Sequence, residues 1–102
     1  MKITNKNNKL TTKGGWLNYT IEDDEITIDI VCAETPKKGI GTALVKKMQE
    51  IARDMELPIG LYAEPCAACD TQISEDALIS FYKKLGFEND ENDTDGKLLI
   101  WK

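Results

Sequence analysis

A chain of 102 residues with 41% hydrophobic residues is long enough to close one core and too short for two domains. Its net charge of −5 excludes bulk electrostatic binding to nucleic acid, whose phosphates demand a basic face. No apolar run approaches the ~18 residues of a membrane span, and the start MKITNKNNKLTTK lacks the apolar centre of a secretory leader, so a cytosolic (cytoplasmic) globular protein is expected.

Residues 1–13 are polar, and a tail or weak edge strand is expected there, with 14–102 as a single domain. After Gly14-Gly15, the stretches WLNYTI (16–21) and EITIDIVCA (25–33) alternate with period two around Glu22-Asp23-Asp24 and predict a hairpin. The alternation places Leu17, Tyr19 and Ile21 on one face, and Ile26, Ile28, Ile30 and Cys32 on one face. From Ile40 to Leu57 the period becomes helical: Ile40, Leu44, Met48, Ile51 and Met55, with Ala43, Val45 and Ala52, form a stripe that should face a core. Pro58 ends it, and IGLYA (59–63) reads as a short strand buried on both faces. Strand, helix and strand make a βαβ unit, whose strands should be parallel or splayed with a right-handed crossover. Residues 64–73 read as loop. Ser74 is positioned to cap a second helix over 75–85, which Lys83, Lys84 and Gly86 should close. A strand beginning at Phe87, an acidic loop and LLIWK (98–102) complete the chain. Helices between strands of a mixed sheet predict an α/β fold, expected in three layers.

Two motifs invite chemistry that the sequence does not support. Cys66 and Cys69 form a CxxC, but with Cys32 as the one further cysteine and no histidine, a zinc site is a ligand short unless Asp70 joins. A redox CxxC belongs at a helix start early in the fold, whereas this one follows Pro65 late in the chain, so the thiols read as incidental. Residues 91–96 imitate the first half of a calcium loop, but Lys102 stands where the bidentate glutamate is required, and a solvated turn is the better account.

The stretch Thr35–Lys47, TPKKGIGTALVKK, joins the second strand to the first helix. It is neither a P-loop nor a dinucleotide fingerprint, since the lysine-threonine and third-glycine positions are not filled. Glycines at a helix start still let backbone N–H groups approach an anion, and Lys37 and Lys38 add local positive charge to an acidic chain. On this stretch alone, a phosphate cradle and a tight turn with solvated lysines fit equally well.

A second cluster breaks the tie. Pro36-x-x-Gly39-Ile40-Gly41 before a helix, followed by Phe81-Tyr82-x-x-Leu85-Gly86-Phe87, resembles the GNAT superfamily of acetyl-CoA-dependent N-acetyltransferases over roughly residues 16–102. The resemblance implies a GNAT-like α/β fold: a mixed, mostly antiparallel sheet with splayed central strands and two main helices, lacking the usual N-terminal strand and helices. It implies that Lys37, Lys38, Gly39, Ile40, Gly41 and Thr42 hold the pyrophosphate of acetyl-CoA, and that the main chain of Asp29, Ile30 and Val31 pairs with the pantetheine arm. Tyr82 would then protonate the departing thiolate, a role suited to a phenol of reference pKa ~10. Glu64 is the candidate general base, with Glu34 or a water chain as alternatives. Two positions depart from the family pattern: Pro36 replaces a phosphate-binding Arg or Gln, and Glu75 replaces a helical Asn.

The compact pattern, including GGWLNYTIEDDEITIDIV and DGKLLIWK, resembles the phage-type members that act as type V-A anti-CRISPR acetyltransferases. It implies a protein acceptor, a lysine on a CRISPR nuclease, with no direct contact to nucleic acid or membrane and no metal. Rival readings are a small-amine acetyltransferase, a non-catalytic CoA-binding module that inhibits by contact, and a thiol redox protein using Cys66 and Cys69.

Overall fold

A computed structural model describes residues 2–33, 39–62, 75–91 and 98–102. The chain runs β1 (Thr4–Lys6), β2 (Lys9–Thr12), β3 (Gly15–Ile21), β4 (Ile26–Ala33), α1 (Ile40–Met55), β5 (Ile59–Tyr62), α2 (Glu75–Lys84), β6 (Glu88–Asn89) and β7 (Leu98–Trp101). The seven strands form one sheet in the order β1-β2-β3-β4-β5-β7-β6. All neighbours are antiparallel except β4 and β5, which are parallel as the βαβ reading requires.

Residues 4–12, expected as a tail or weak edge strand, form a hairpin that sets the edge of the sheet. Its turn residues Asn7 and Asn8 both take positive φ (54° and 59°), the hand that a two-residue turn needs to follow the strand twist. Leu10 is fully buried against Leu17 across the β2–β3 ladder, which anchors the hairpin to the core. The expected loss of N-terminal elements is therefore refined: a strand is present at the edge, and a two-residue turn joins it directly to the next strand.

Both helices lie on one face, which corrects the expected three layers to two. The β4–α1–β5 and β5–α2–β6 crossovers step in the same direction along the sheet, and crossovers of one hand then place their helices on the same side. One continuous core holds Ile40, Leu44, Val45 and Met48 of α1 with Tyr82 of α2 and Phe87, against Leu17, Ile28, Leu61 and Leu99 of the sheet. Gln49 Nε2 donates to Leu85 O at 2.8 Å, tying α1 to the end of α2. The Cα envelope, 34 × 30 × 21 Å, has the thin dimension of a sheet with one helical layer.

The helical stripe holds except at its end. Helix α1 stops at Met55, where Glu56 enters the left-handed region (φ 59°) and its N–H bonds to Arg53 O at 3.2 Å. Met55 is consequently exposed rather than in the core. Strand β5 is buried over Ile59–Leu61, but Tyr62 is exposed, so its burial ends one residue early. Among the described residues no helix is long and apolar enough to cross a membrane.

Candidate functional site

Strand β4 changes character halfway along. Ile26, Ile28 and the residue between them pair with β3 on one side and with Ile59, Gly60 and Leu61 of β5 on the other. After the rung Ile28↔Leu61 the described ladder to β5 ends, while β4 continues to Ala33 alongside β3. Among the described residues the fork between the two central strands is the end of this ladder, just before Asp29.

A register shift marks the same point. Tyr19 faces Ile28, but Asn18 faces Ile30, so Asp29 is the extra residue of a β-bulge. Because one inserted residue reverses which side chains point where, the expected common face of Ile26, Ile28, Ile30 and Cys32 is corrected. Val31, opposite Leu17, packs on the core, while Ile30 and Cys32, opposite Asn18 and Trp16, lie on the helix-free face. Asp29 itself is exposed, and its Oδ2 accepts a hydrogen bond from Thr20 Oγ1 at 2.8 Å.

Helix α1 begins beside the far end of this freed segment. Ile40 Cδ1 lies 2.8 Å from where a Cβ at Gly14 would stand, and the next residue, Gly15, pairs with Ala33. The N-cap is Gly39, in the left-handed region (φ 76°), with no side-chain cap, no acidic residue in the first turn, and nothing within 4 Å of a Cβ position. The first intrahelical bond runs from Ala43 N–H to Gly39 O at 2.9 Å, so the N–H groups of Ile40, Gly41 and Thr42 are not used in the helix ladder. A glycine main chain open to approach, with the positive end of a helix behind it, fits an anionic group such as a pyrophosphate.

Tyr82 is buried in the core. It belongs to the same packed cluster as Ile28 and Leu61, and its ring meets Phe81 and Phe87 edge-on, with centroids 5.1 and 5.4 Å apart. Desolvation by burial pushes its phenol well above the ordinary value near 10, which keeps the proton on the oxygen at neutral pH.

Of the residues singled out from sequence, Asp29, Ile30 and Val31 therefore lie on β4 from its bulge onward, Gly39–Thr42 at the start of α1, and Tyr82 in the core. Lys37, Lys38, Glu34, Glu64, Ser74, Cys66 and Cys69 lie outside the described residues. Sequence reasoning missed the bulge and Thr20. The available signal was Asp29 itself, a polar residue breaking an apolar run opposite a strand that needs a core partner at Leu17.

Comparison with known proteins places these features in a family. Residues 15–87 match the model of the acetyltransferase (GNAT) family. No curated protein matches the chain. Among solved structures, the anti-CRISPR protein AcrVA5 is 45% identical, with a TM-score of 0.85 over 92% of this chain and 96% of that one. The PaiA N-acetyltransferase of Thermoplasma acidophilum, solved with coenzyme A, is 20% identical with a TM-score of 0.63, covering 86% of this chain and 52% of its own. Arabidopsis thaliana Naa50, solved with the bisubstrate analogue CoA-Ac-MVNAL, is 22% identical with a TM-score of 0.59, covering 84% and 62%. The last two likenesses are of fold.

Proposed function

We propose, from the premise that this chain belongs to the GNAT acetyltransferase family, that it transfers the acetyl group of acetyl-CoA to a primary amine, by preference a protein lysine. The observation that carries this reading is the start of α1, where a left-handed Gly39 without a side-chain cap leaves the N–H groups of Ile40, Gly41 and Thr42 outside the helix ladder.

Each residue then has a task. The N–H groups of Ile40, Gly41 and Thr42, with Gly39 giving access, hold the pyrophosphate, and Lys37 and Lys38 supply charge beside it. The main chain of Asp29, Ile30 and Val31 offers a strand edge to the amides of the pantetheine arm, as an extended peptide adds to a sheet. Acetyl-CoA, when bound, supplies the activated thioester. Tyr82 gives its proton to the departing thiolate, and burial keeps that proton on the phenol until the thiolate forms. Glu64 is the general base for the amine in this reading. Residues 14–102 make the catalytic domain and residues 1–13 its sheet edge.

The acceptor is read as large because no N-terminal helices cover the second face of the sheet among the described residues, leaving an open approach rather than an enclosed pocket. The 45% identity to an anti-CRISPR protein supports a protein acceptor, and with the sequence resemblance, a lysine of a type V CRISPR nuclease in the bacterial cytoplasm. Net charge −5 suits approach to a basic, nucleic-acid-binding partner. The test is calorimetry of acetyl-CoA with wild type and Gly41→Glu, then mass spectrometry of the nuclease incubated with both. Binding lost in the variant, and one acetyl mass on a nuclease lysine with wild type alone, are expected. Acetylation of small polyamines but not of the nuclease replaces the acceptor, and a folded wild type that binds no acetyl-CoA overturns the enzyme.

A further inference from the structure

The turn that follows α2 is a glycine cap with Tyr82 at its base. Gly86 takes positive φ (98°), its N–H donates to Lys83 O at 3.1 Å, and Phe87 N–H donates to Tyr82 O at 3.2 Å, the paired closing bonds of such a cap. Leu85 N–H adds a further bond to Tyr82 O at 3.0 Å. The edge-on contact of the Tyr82 and Phe87 rings, 5.4 Å between centroids, is the hydrophobic closure that accompanies the motif. A shift of the cap is therefore a shift of Tyr82. These bonds leave the Leu85 carbonyl over, and α1 fills it: Gln49 Nε2 donates to it at 2.8 Å from a residue only 9% exposed. Apart from the tyrosines and Cys32, Gln49 is the only polar residue buried among the described residues. On the other side, Trp101 Cδ1 of β7 lies 3.3 Å from where a Cβ at Gly86 would stand, and Arg53, one turn of α1 beyond Gln49, stands 5.8 Å from the same ring's centroid. The cap is gripped between α1 and β7.

We propose that Gln49 is a positioning residue for acetyl transfer, locking the Tyr82 cap to the helix whose first turn holds the cofactor; this rests on the acetyl-transfer reading above. The cradle and the phenol belong to different helices, yet one cofactor has to meet both. The pantetheine arm between pyrophosphate and sulfur is flexible, so the protein has to keep that spacing constant. Helix α1 is the ruler. Gln49 lies ~13 Å along its axis from Ile40 at a rise of about 1.5 Å per residue, and a helix does not stretch. An apolar side chain at this position would pack on the cap by non-directional contact alone, which lets one helix slide on the other. A hydrogen bond from one amide to one carbonyl sets the register, because it weakens steeply when distance or angle departs from its optimum. The reaction tolerates little slip, since a misplacement of about 1 Å costs as much as ~100-fold in rate. No bond to substrate is made by Gln49; it acts through the cap and the cap acts through Tyr82.

Two variants test it, each alone and in a Tyr82→Phe background, by thiol release from acetyl-CoA with poly-L-lysine and with the nuclease as acceptors. Gln49→Met keeps the volume and removes the donor, and Gln49→Glu keeps the shape and has no donor when ionised. Each alone should lower kcat by ~10- to 100-fold while acetyl-CoA affinity stays within about twofold. In the Tyr82→Phe background neither should lower kcat further, because a phenol that is absent cannot be misplaced. Melting temperature should drop by the same amount in both backgrounds, so the rate coupling separates positioning from packing. An equal fractional loss of kcat with and without the phenol overturns the assignment, as does wild-type kcat in a folded variant. A parallel loss of acetyl-CoA binding overturns it by making Gln49 a support of the cradle, and failure of both variants to fold overturns it by making Gln49 a folding residue. A wild type that binds acetyl-CoA yet acetylates neither acceptor overturns the transfer reading itself, and this assignment with it.

Discussion

The two halves of β4 are paired differently. Ile26–Ile28 is held by strands on both sides and by the core beneath, whereas Asp29–Ala33 is paired on the β3 side in the described ladders. One inserted residue makes the difference. It shifts the β3 pairing by one, so that Ile30 stands opposite Asn18 and Val31 opposite Leu17, and the described rungs to β5 stop before it. Main-chain groups at a sheet edge will accept any extended chain carrying amides, which is why a strand half removed from its sheet serves as a binding surface. On the proposed function the first half is scaffold and the second is site.

Tyr82→Phe tests that function hardest, because it asks whether the buried phenol supplies the proton. Phenylalanine keeps the edge-on contacts with Phe81 and Phe87, so acetyl-CoA affinity and stability should hold while turnover drops by ~10²–10⁴. Undiminished turnover would take Tyr82 out of the reaction. The same variant has a pH signature. Burial raises the phenol's pKa in the folded state above its unfolded value near 10, so the folded protein keeps a proton that the unfolded chain gives up. The resulting stability is fully present below pH ~10 and is lost as pH rises beyond it toward the folded value. Melting temperature should therefore fall more steeply above pH ~10 in wild type than in Tyr82→Phe. Equal slopes would place the hydroxyl in water.

Paired truncations sharpen the comparison in stability. Ile28 is 4% exposed on the doubly paired half, and Ile28→Ala should cost ~2–5 kcal/mol in denaturant unfolding. Val31 is packed on the same core but half-buried beyond the fork, and Val31→Ala should cost only ~1 kcal/mol. Equal costs would mean that both halves are structural and that the freed segment is not specialised for binding.

Much of this was legible in the sequence, and the failures share a cause. Helix α1, the β3–β4 hairpin and the parallel β5 follow from periodicity and turn residues, because their apolar spacing matches what each element buries. The Gly39–Gly41 and Phe81–Phe87 motifs announce the family because helix caps and aromatic packing are local. A bulge is not local. Nothing in ITIDIVCA says that Ile30 faces away from the core, since only pairing with Asn18 rather than Tyr19 decides it. The side on which each helix packs depends likewise on strand order, which no segment encodes alone. Gln49 illustrates the same limit: a polar residue in a buried helical position looks like an error until the Leu85 carbonyl arrives from a distant turn.

The smallest predicted effect concerns the scaffold half. Gly60 lies on β5 opposite Thr27, and a Cβ there would collide with Glu25 Oε1, which reaches across from the start of β4. The obstacle is the end of a flexible side chain rather than backbone, and φ at Gly60 is not in the left-handed region, so alanine is compatible once Glu25 swings aside. Alanine in a strand gains ~0.5–1 kcal/mol over glycine from the unfolded chain's lost freedom. Displacing Glu25 from Thr27 forfeits a weak 3.4 Å hydrogen bond and offsets most of that gain. Gly60→Ala should therefore be near neutral alone and stabilising by ~0.5–1 kcal/mol in a Glu25→Ala background, a coupling that a double-mutant cycle reads directly. Strict additivity would show that Glu25 does not lie over β5. A large loss in both backgrounds would show that β4 and β5 already approach too closely for any side chain, and that the parting of the strands begins before Asp29.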